Sequence, residues 1–103
     1  MKFPLVSRKA YDLLKKERKE IDWLMWFSGI VGPLSTIPQI WTVFVDKNVA
    51  GLSLLTWGLY TVSSIIGLLY AMLHRLGALV VSNTLWLIVN GLVAAGIIMY
   101  RSH

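Results

Sequence analysis

The third apolar stretch of this sequence carries the side chains whose types and spacing best suit them to binding a small molecule. Asn83 and Asn90 lie seven residues apart, almost two helical turns, so both project from nearly the same face of a helix. Trp86 lies about 60° around the helix from Asn83. An aromatic ring flanked by amides can bind a neutral polyhydroxyl solute, because the ring covers C–H groups while the amides donate and accept hydrogen bonds. The alternative is that both asparagines bond to backbone groups across helix contacts.

The elements that position these side chains are predicted to be membrane-spanning helices. The chain has 103 residues, is 56% hydrophobic and has a mean hydropathy of +0.65. A span needs about 20 apolar residues, and the stretches 23–45, 52–73 and 77–100 qualify. The short breaks between them make neighbouring spans antiparallel. The sequence therefore predicts an all-α membrane protein with one three-helix unit over 23–100, and it excludes a water-soluble globule and a disordered chain.

Two prolines weaken the first predicted span. Pro38 has no N–H, so the carbonyl of Leu34 loses its helical partner, and Pro33 does the same to Gly29. Gln39 follows at once, and a polar side chain at membrane depth must find partners. These features fit either a hinge or a static kink.

Small residues recur at helical spacing in the spans and predict close helix packing. The first span has Ser28, Gly32 and Thr36, and the second has Ser63, Gly67 and Ala71.

Residues 1–22 form a separate charged segment, with seven Lys/Arg and four Asp/Glu. Its apolar side chains fall near one face of a helix: Phe3, Val6, Ala10, Leu13 and Leu14. We expect an amphipathic N-terminal helix that binds anionic lipid headgroups rather than nucleic acid. The alternative is a frayed leader that only sets orientation.

Missing residue types narrow the function. No Asp or Glu lies inside a predicted span, which disfavours proton coupling and favours passive movement of an uncharged solute. The chain has no cysteine, no metal-ligand cluster and no evident nucleophile–base pair, so we expect no metal, no cofactor and no enzymatic activity. Three helices cannot enclose a pathway, which predicts a second copy in a twofold dimer; in a parallel dimer, Asn83 would face its mate across the axis.

Four sequence features together resemble the PQ-loop superfamily, and most closely the bacterial half-transporters called SemiSWEETs. They are Pro38-Gln39, a short loop containing Lys47, Gly51-Leu52-Ser53 at the start of the second span, and Asn83 early in the third. The resemblance covers residues 23–100 and leaves the basic segment unexplained. It implies a bundle in the helix order 1-3-2, a parallel homodimer, and a central pocket that opens alternately to each side of the membrane.

The resemblance also implies roles for particular residues. Pro38 would be the hinge, supported by Gln39, and Asn83 would be the pocket asparagine contributed by each protomer. Tyr70 would be the gate tyrosine.

The chain departs from the family at two sites. Gly67 stands where the family has its pocket tryptophan, and Trp86 is the candidate to replace that ring beside Asn83 and Asn90. The acidic partner of the gate tyrosine falls at about Leu76, so any gate here is expected to use Tyr70, His74 and Arg75.

The predicted orientation rests on two conflicting arguments. The charged segment and Arg75 lie on one side of the spans, while Lys47 and Arg101 lie on the other. The positive-inside rule therefore predicts a cytoplasmic N-terminus, whereas the resemblance implies an external one. We follow the charge rule because it reads this chain directly.

The sequence therefore predicts an alternating-access uniporter in the inner (plasma) membrane of a prokaryotic cell. The expected substrate is a small neutral solute, namely a mono- or disaccharide. The alternatives are a PQ-loop transporter of an amino acid or vitamin and a holin-like or accessory membrane protein.

Overall fold

The computed structural model describes residues 7–101, which are helical apart from short turns and loops. The helices are α1 (Arg8–Lys16), α2 (Arg18–Leu34), α3 (Ile37–Phe44), α4 (Leu54–Leu73) and α5 (Gly77–Tyr100). By length and composition, α4 and α5 could each cross a membrane. Phe3 and Val6, predicted for the amphipathic face, lie outside the described residues.

The first predicted span, 23–45, consists of two helices in the structure. The helix α2 already begins at Arg18, and it ends at Leu34. Ser35 and Thr36 form the break, where the Thr36 N–H donates to the carbonyl of Pro33 at 3.0 Å. Pro38 lies in the first turn of α3, a position where the absent N–H costs nothing. One helix therefore ends before Pro38, and the next begins with Pro38 in its first turn.

The turns around α4 are closed by local hydrogen bonds. Ser53 caps its N-terminus by accepting from the Thr56 N–H at 3.2 Å. At the other end, the N–H groups of Arg75 and Leu76 donate to the carbonyls of Met72 and Ala71, which forms a Schellman motif. Arg75 takes the left-handed conformation that this motif requires, with φ +53°. The motif turns the chain directly into α5, which begins at Gly77.

The longest helix, α5, packs against α4, α2 and α3. A buried apolar cluster lies near its C-terminal end, where Val93 and Ile97 pack with Val43 of α3. Gly96 lets the two helices approach there, because a Cβ at this position would overlap Cγ1 of Val43. Most large apolar side chains elsewhere are exposed, as expected for helices that face lipid.

Candidate solute-binding site

An open cleft of about 310 Å³ lies between the middle of α4 and the middle of α5. Its lining combines hydroxyls, amides and two aromatic rings: Tyr60, Ser63, Ser64, Asn83, Trp86 and Asn90. None of these side chains carries a formal charge. The cleft therefore offers hydrogen-bond donors and acceptors, together with an apolar ring face, to an uncharged ligand.

Asn83 lies against the backbone of α4 at Gly67. A Cβ built on Gly67 would stand 2.6 Å from Asn83 Oδ1 and 3.2 Å from its Nδ2, so the amide occupies the space that a side chain at position 67 would need. The Asn83 Nδ2 group also donates to the carbonyl of Leu79, one turn earlier in its own helix, at 3.0 Å. The glycine thus sets where this amide lies.

Asn90 bonds across the helix contact. It is only 4% exposed, and its Nδ2 group donates to Ser64 Oγ at 3.0 Å and to the Tyr60 carbonyl at 3.4 Å. The Ser64 hydroxyl in turn donates to the same Tyr60 carbonyl at 2.9 Å. These bonds tie α5 to α4 at the base of the cleft, as the helix-contact interpretation predicts for this asparagine. Its Oδ1 atom is buried without a hydrogen-bond partner among the described residues.

Trp86 lies beside Asn83 and extends toward α2. A Cβ on Gly32 would stand 3.2 Å from Trp86 Cζ2, so the edge of the indole packs onto the bare backbone of α2 at that glycine. The same ring lines the cleft. Gly32 and Gly67 therefore each accommodate a cleft-lining side chain of α5, which is the close approach that the small residues predict.

The three residues expected at a gate lie together at the end of α4. The rings of Tyr70 and His74 are in contact, with centroids 4.3 Å apart and planes inclined by 41°. Arg75 lies in the turn to α5, where its backbone N–H donates to the carbonyl of Met72. These residues lie outside the cleft lining, toward one end of the bundle.

Pro38 and Gln39, expected at a hinge, also lie outside the cleft. Pro38 is exposed and Gln39 is half-buried. The carbonyl of Pro38 accepts a hydrogen bond from Thr42 Oγ1 at 3.1 Å. Both residues lie in the first turn of α3, close to the break at Ser35 and Thr36.

Sequence reasoning missed part of the cleft. Tyr60 and Ser64 were not among the expected site residues, and Ser63 was noted only for its small size. The available signal was the pair of adjacent hydroxyls at 63 and 64, which are polar groups inside an apolar span. Which of them faces Asn90 depends on the register between α4 and α5.

Two comparisons with known proteins show which family the chain belongs to. The family model described as "PQ loop repeat" matches residues 21–78, which include the proline break, α3 and all of α4. The protein "Sugar transporter SemiSWEET" of Vibrio sp. (strain N418) is 30% identical over 90 residues, which cover 85% of this chain and 93% of that relative. The predicted relationship is confirmed, and the chain belongs to the SemiSWEET/PQ-loop family of membrane proteins.

Proposed function

We propose that this protein is a passive transporter of a mono- or disaccharide. The observation that carries the proposal is the cleft between α4 and α5, which presents amides, hydroxyls and an indole ring but no charged side chain. The name of the relative from Vibrio as a sugar transporter supports the same substrate class. The protein moves its substrate down a gradient and performs no chemistry on it, so it is not an enzyme.

The cleft suits a sugar better than it suits an amino acid. In this proposal the Trp86 ring covers a C–H face of the sugar, while Asn83 and the hydroxyls of Tyr60 and Ser63 exchange hydrogen bonds with its hydroxyl groups. An amino acid would bring an ammonium and a carboxylate to a lining with no opposite charge, and burying unpaired charges is costly. The same reasoning disfavours a charged vitamin.

The working unit we propose is a parallel homodimer of three-span protomers. The broken pair α2 and α3 forms the first span, α4 the second and α5 the third, with α5 between the other two. The cleft of one protomer is open, and a second copy related by a twofold axis would close it into a central pocket. We place the dimer in the inner membrane of a prokaryotic cell with a cytoplasmic N-terminus, which reporter fusions at both termini can test.

Alternating access then follows from bending at the break between α2 and α3. The Val43–Val93–Ile97 cluster fixes α3 to α5 at one end, while Tyr70 and His74 lie at the opposite end of the bundle. Pivoting at Pro38 would open one end while the other closes, with Gln39 supporting the hinge. Bound sugar shifts the population between the two states only through its different affinity for each.

Uptake by liposomes containing the pure protein tests the proposal. We expect labelled glucose or sucrose to enter saturably until the inner and outer concentrations are equal, with no need for an ion gradient. Entry of neutral amino acids but of no sugar would replace this proposal with the amino-acid alternative. Non-saturable entry of every small solute would instead indicate a holin-like pore.

A further inference from the structure

The side chains of α1 separate into a basic face and an apolar face. The basic face carries Arg8, Lys9, Lys15 and Lys16, and the apolar face carries Ala10, Tyr11, Leu13 and Leu14. No residue of α1 is buried, and Tyr11, Leu13 and Leu14 are each more than half exposed. The described chain therefore leaves much of this apolar face uncovered.

The start of α2 places α1 close to a membrane surface. Glu17 is the single residue between α1 and α2, and it lies outside both helices. The first turns of α2 are charged as far as Asp22, and Trp23 and Trp26 follow. Tryptophan prefers the headgroup level of a bilayer, so these two residues mark where α2 enters the membrane. The C-terminal end of α1 is thus about two helical turns from the headgroups.

The charge of α1 identifies what covers its apolar face. Its four basic side chains are accompanied by one acidic side chain, Asp12. In a parallel dimer, pairing with the α1 of a second copy would bring like charges together. An anionic lipid surface supplies both the opposite charge and an apolar layer just below it.

We propose that α1 lies on the membrane surface and binds anionic lipid headgroups through its basic face while its apolar face enters the acyl boundary. The direction of α1 relative to α2 is set at Glu17, the one non-helical residue between them. Each basic residue near an anionic surface strengthens binding by about fivefold, so the lipid charge decides whether α1 is bound. This interaction is separate from solute transport and does not depend on the substrate.

The absence of cysteine from the sequence permits a direct test on the full-length chain in liposomes. Leu13→Cys places a label on the apolar face, and Asp12→Cys is the matched control on the basic face. Each variant carries an environment-sensitive fluorophore and is reconstituted in phosphatidylcholine alone or mixed with phosphatidylglycerol. We expect the label at position 13 to move into an apolar environment only in the anionic liposomes, and the label at position 12 to stay in water in both.

The dependence on charge distinguishes lipid binding from other sources of shielding. Adding Lys15→Gln and Lys16→Gln to the Leu13→Cys variant should weaken the binding of α1 by roughly 30-fold, whereas Arg101→Gln at the opposite end should leave it unchanged. Equal shielding of position 13 in both kinds of liposome would indicate burial against protein and overturn the proposal. A label that stays in water in anionic liposomes would overturn it as well.

Discussion

The amide of Asn83 fills the space next to Gly67 that a larger residue would occupy. A Cβ on this glycine would approach Asn83 Oδ1 to 2.6 Å, closer than atoms in a folded protein tolerate. Because Oδ1 is at the end of a flexible side chain, the amide can swing away, but it would then leave its present place at the cleft. Position 67 therefore controls the placement of Asn83.

Gly67→Ala should impair transport without unfolding the protein. Alanine favours a helix over glycine, so we expect the thermal stability in detergent to be retained. Losing one well-placed hydrogen bond to the substrate should raise the sugar concentration at half-maximal uptake by about two- to tenfold. Gly58→Ala is the matched control, because a Cβ there meets nothing within 4 Å. Equal uptake by both variants would remove Gly67 from the site.

Trp86→Ala should weaken sugar binding because it removes one of the two aromatic rings that line the cleft, the indole beside Asn83. We expect the concentration at half-maximal uptake to rise by about tenfold, with Trp86→Phe retaining most of the affinity. Trp41→Ala is the control, since Trp41 is 63% exposed and does not line the cleft. Unchanged uptake by Trp86→Ala would show that this ring does not replace the family's pocket tryptophan.

Pro38→Ala should slow the exchange between the two states. An alanine at this position supplies an N–H that can donate to the Leu34 carbonyl, so α2 can continue through Ser35 and Thr36 into α3. We expect the rate of sugar counterflow to fall, by up to about 100-fold if bending loses the full ~3 kcal/mol by which proline disfavours a continuous helix. Sugar binding, measured by tryptophan fluorescence, should persist.

The control for the hinge is Ile37→Ala, which changes an exposed side chain and leaves the backbone donors in place. If Pro38→Ala and Ile37→Ala exchange sugar at the wild-type rate, the break is a static kink.

Gly96→Ala should destabilise the bundle rather than alter substrate affinity. The new Cβ would overlap Cγ1 of Val43 and stand 3.3 Å from Cζ of Phe44, at the buried cluster that joins α3 to α5. We expect a loss of about 1–3 kcal/mol, seen as a lower unfolding temperature in detergent. Gly91→Ala in the same helix should cost nothing, because no atom lies within 4 Å of its Cβ position.

Val43→Ala added to Gly96→Ala should recover part of the lost stability, because it removes the overlapping methyl group. A double variant no more stable than Gly96→Ala alone would contradict the packing described for α3 and α5.

Much of the helical fold follows from the sequence because its signals are local. The apolar stretches that predict the second and third spans, 52–73 and 77–100, closely match α4 and α5. The helix bounds within the first predicted span were harder to predict, because a proline shows which donor is lost but not where the preceding helix ends. The turn after α4 shows the same limit. Glycine usually takes the left-handed position of such a turn, yet here Arg75 adopts the positive φ although Gly77 is only two residues away. Closure of the hydrogen bonds to Met72 and Ala71 outweighs the conformational preference of the residue.

The α5 side of the candidate site was predictable in composition but not in its contacts. The polar face of α5 follows from the spacing of Asn83 and Asn90. Their different surroundings depend on how α4 lies alongside α5, which places Gly67 next to Asn83 and Ser64 next to Asn90. No local pattern encodes that register, so the sequence alone left open which asparagine would bond across the helices.

The most direct test of the transport proposal compares the wild-type protein with Asn83→Ala in sugar-uptake experiments on liposomes. The wild type should equilibrate labelled glucose or sucrose with saturable kinetics. The variant should fold normally, because among the described residues the Asn83 amide bonds only within α5 and it lies at the surface of the cleft, but it should lose most of this uptake. Equal sugar uptake by the two proteins, or none by the wild type across a broad panel of sugars, would contradict the account.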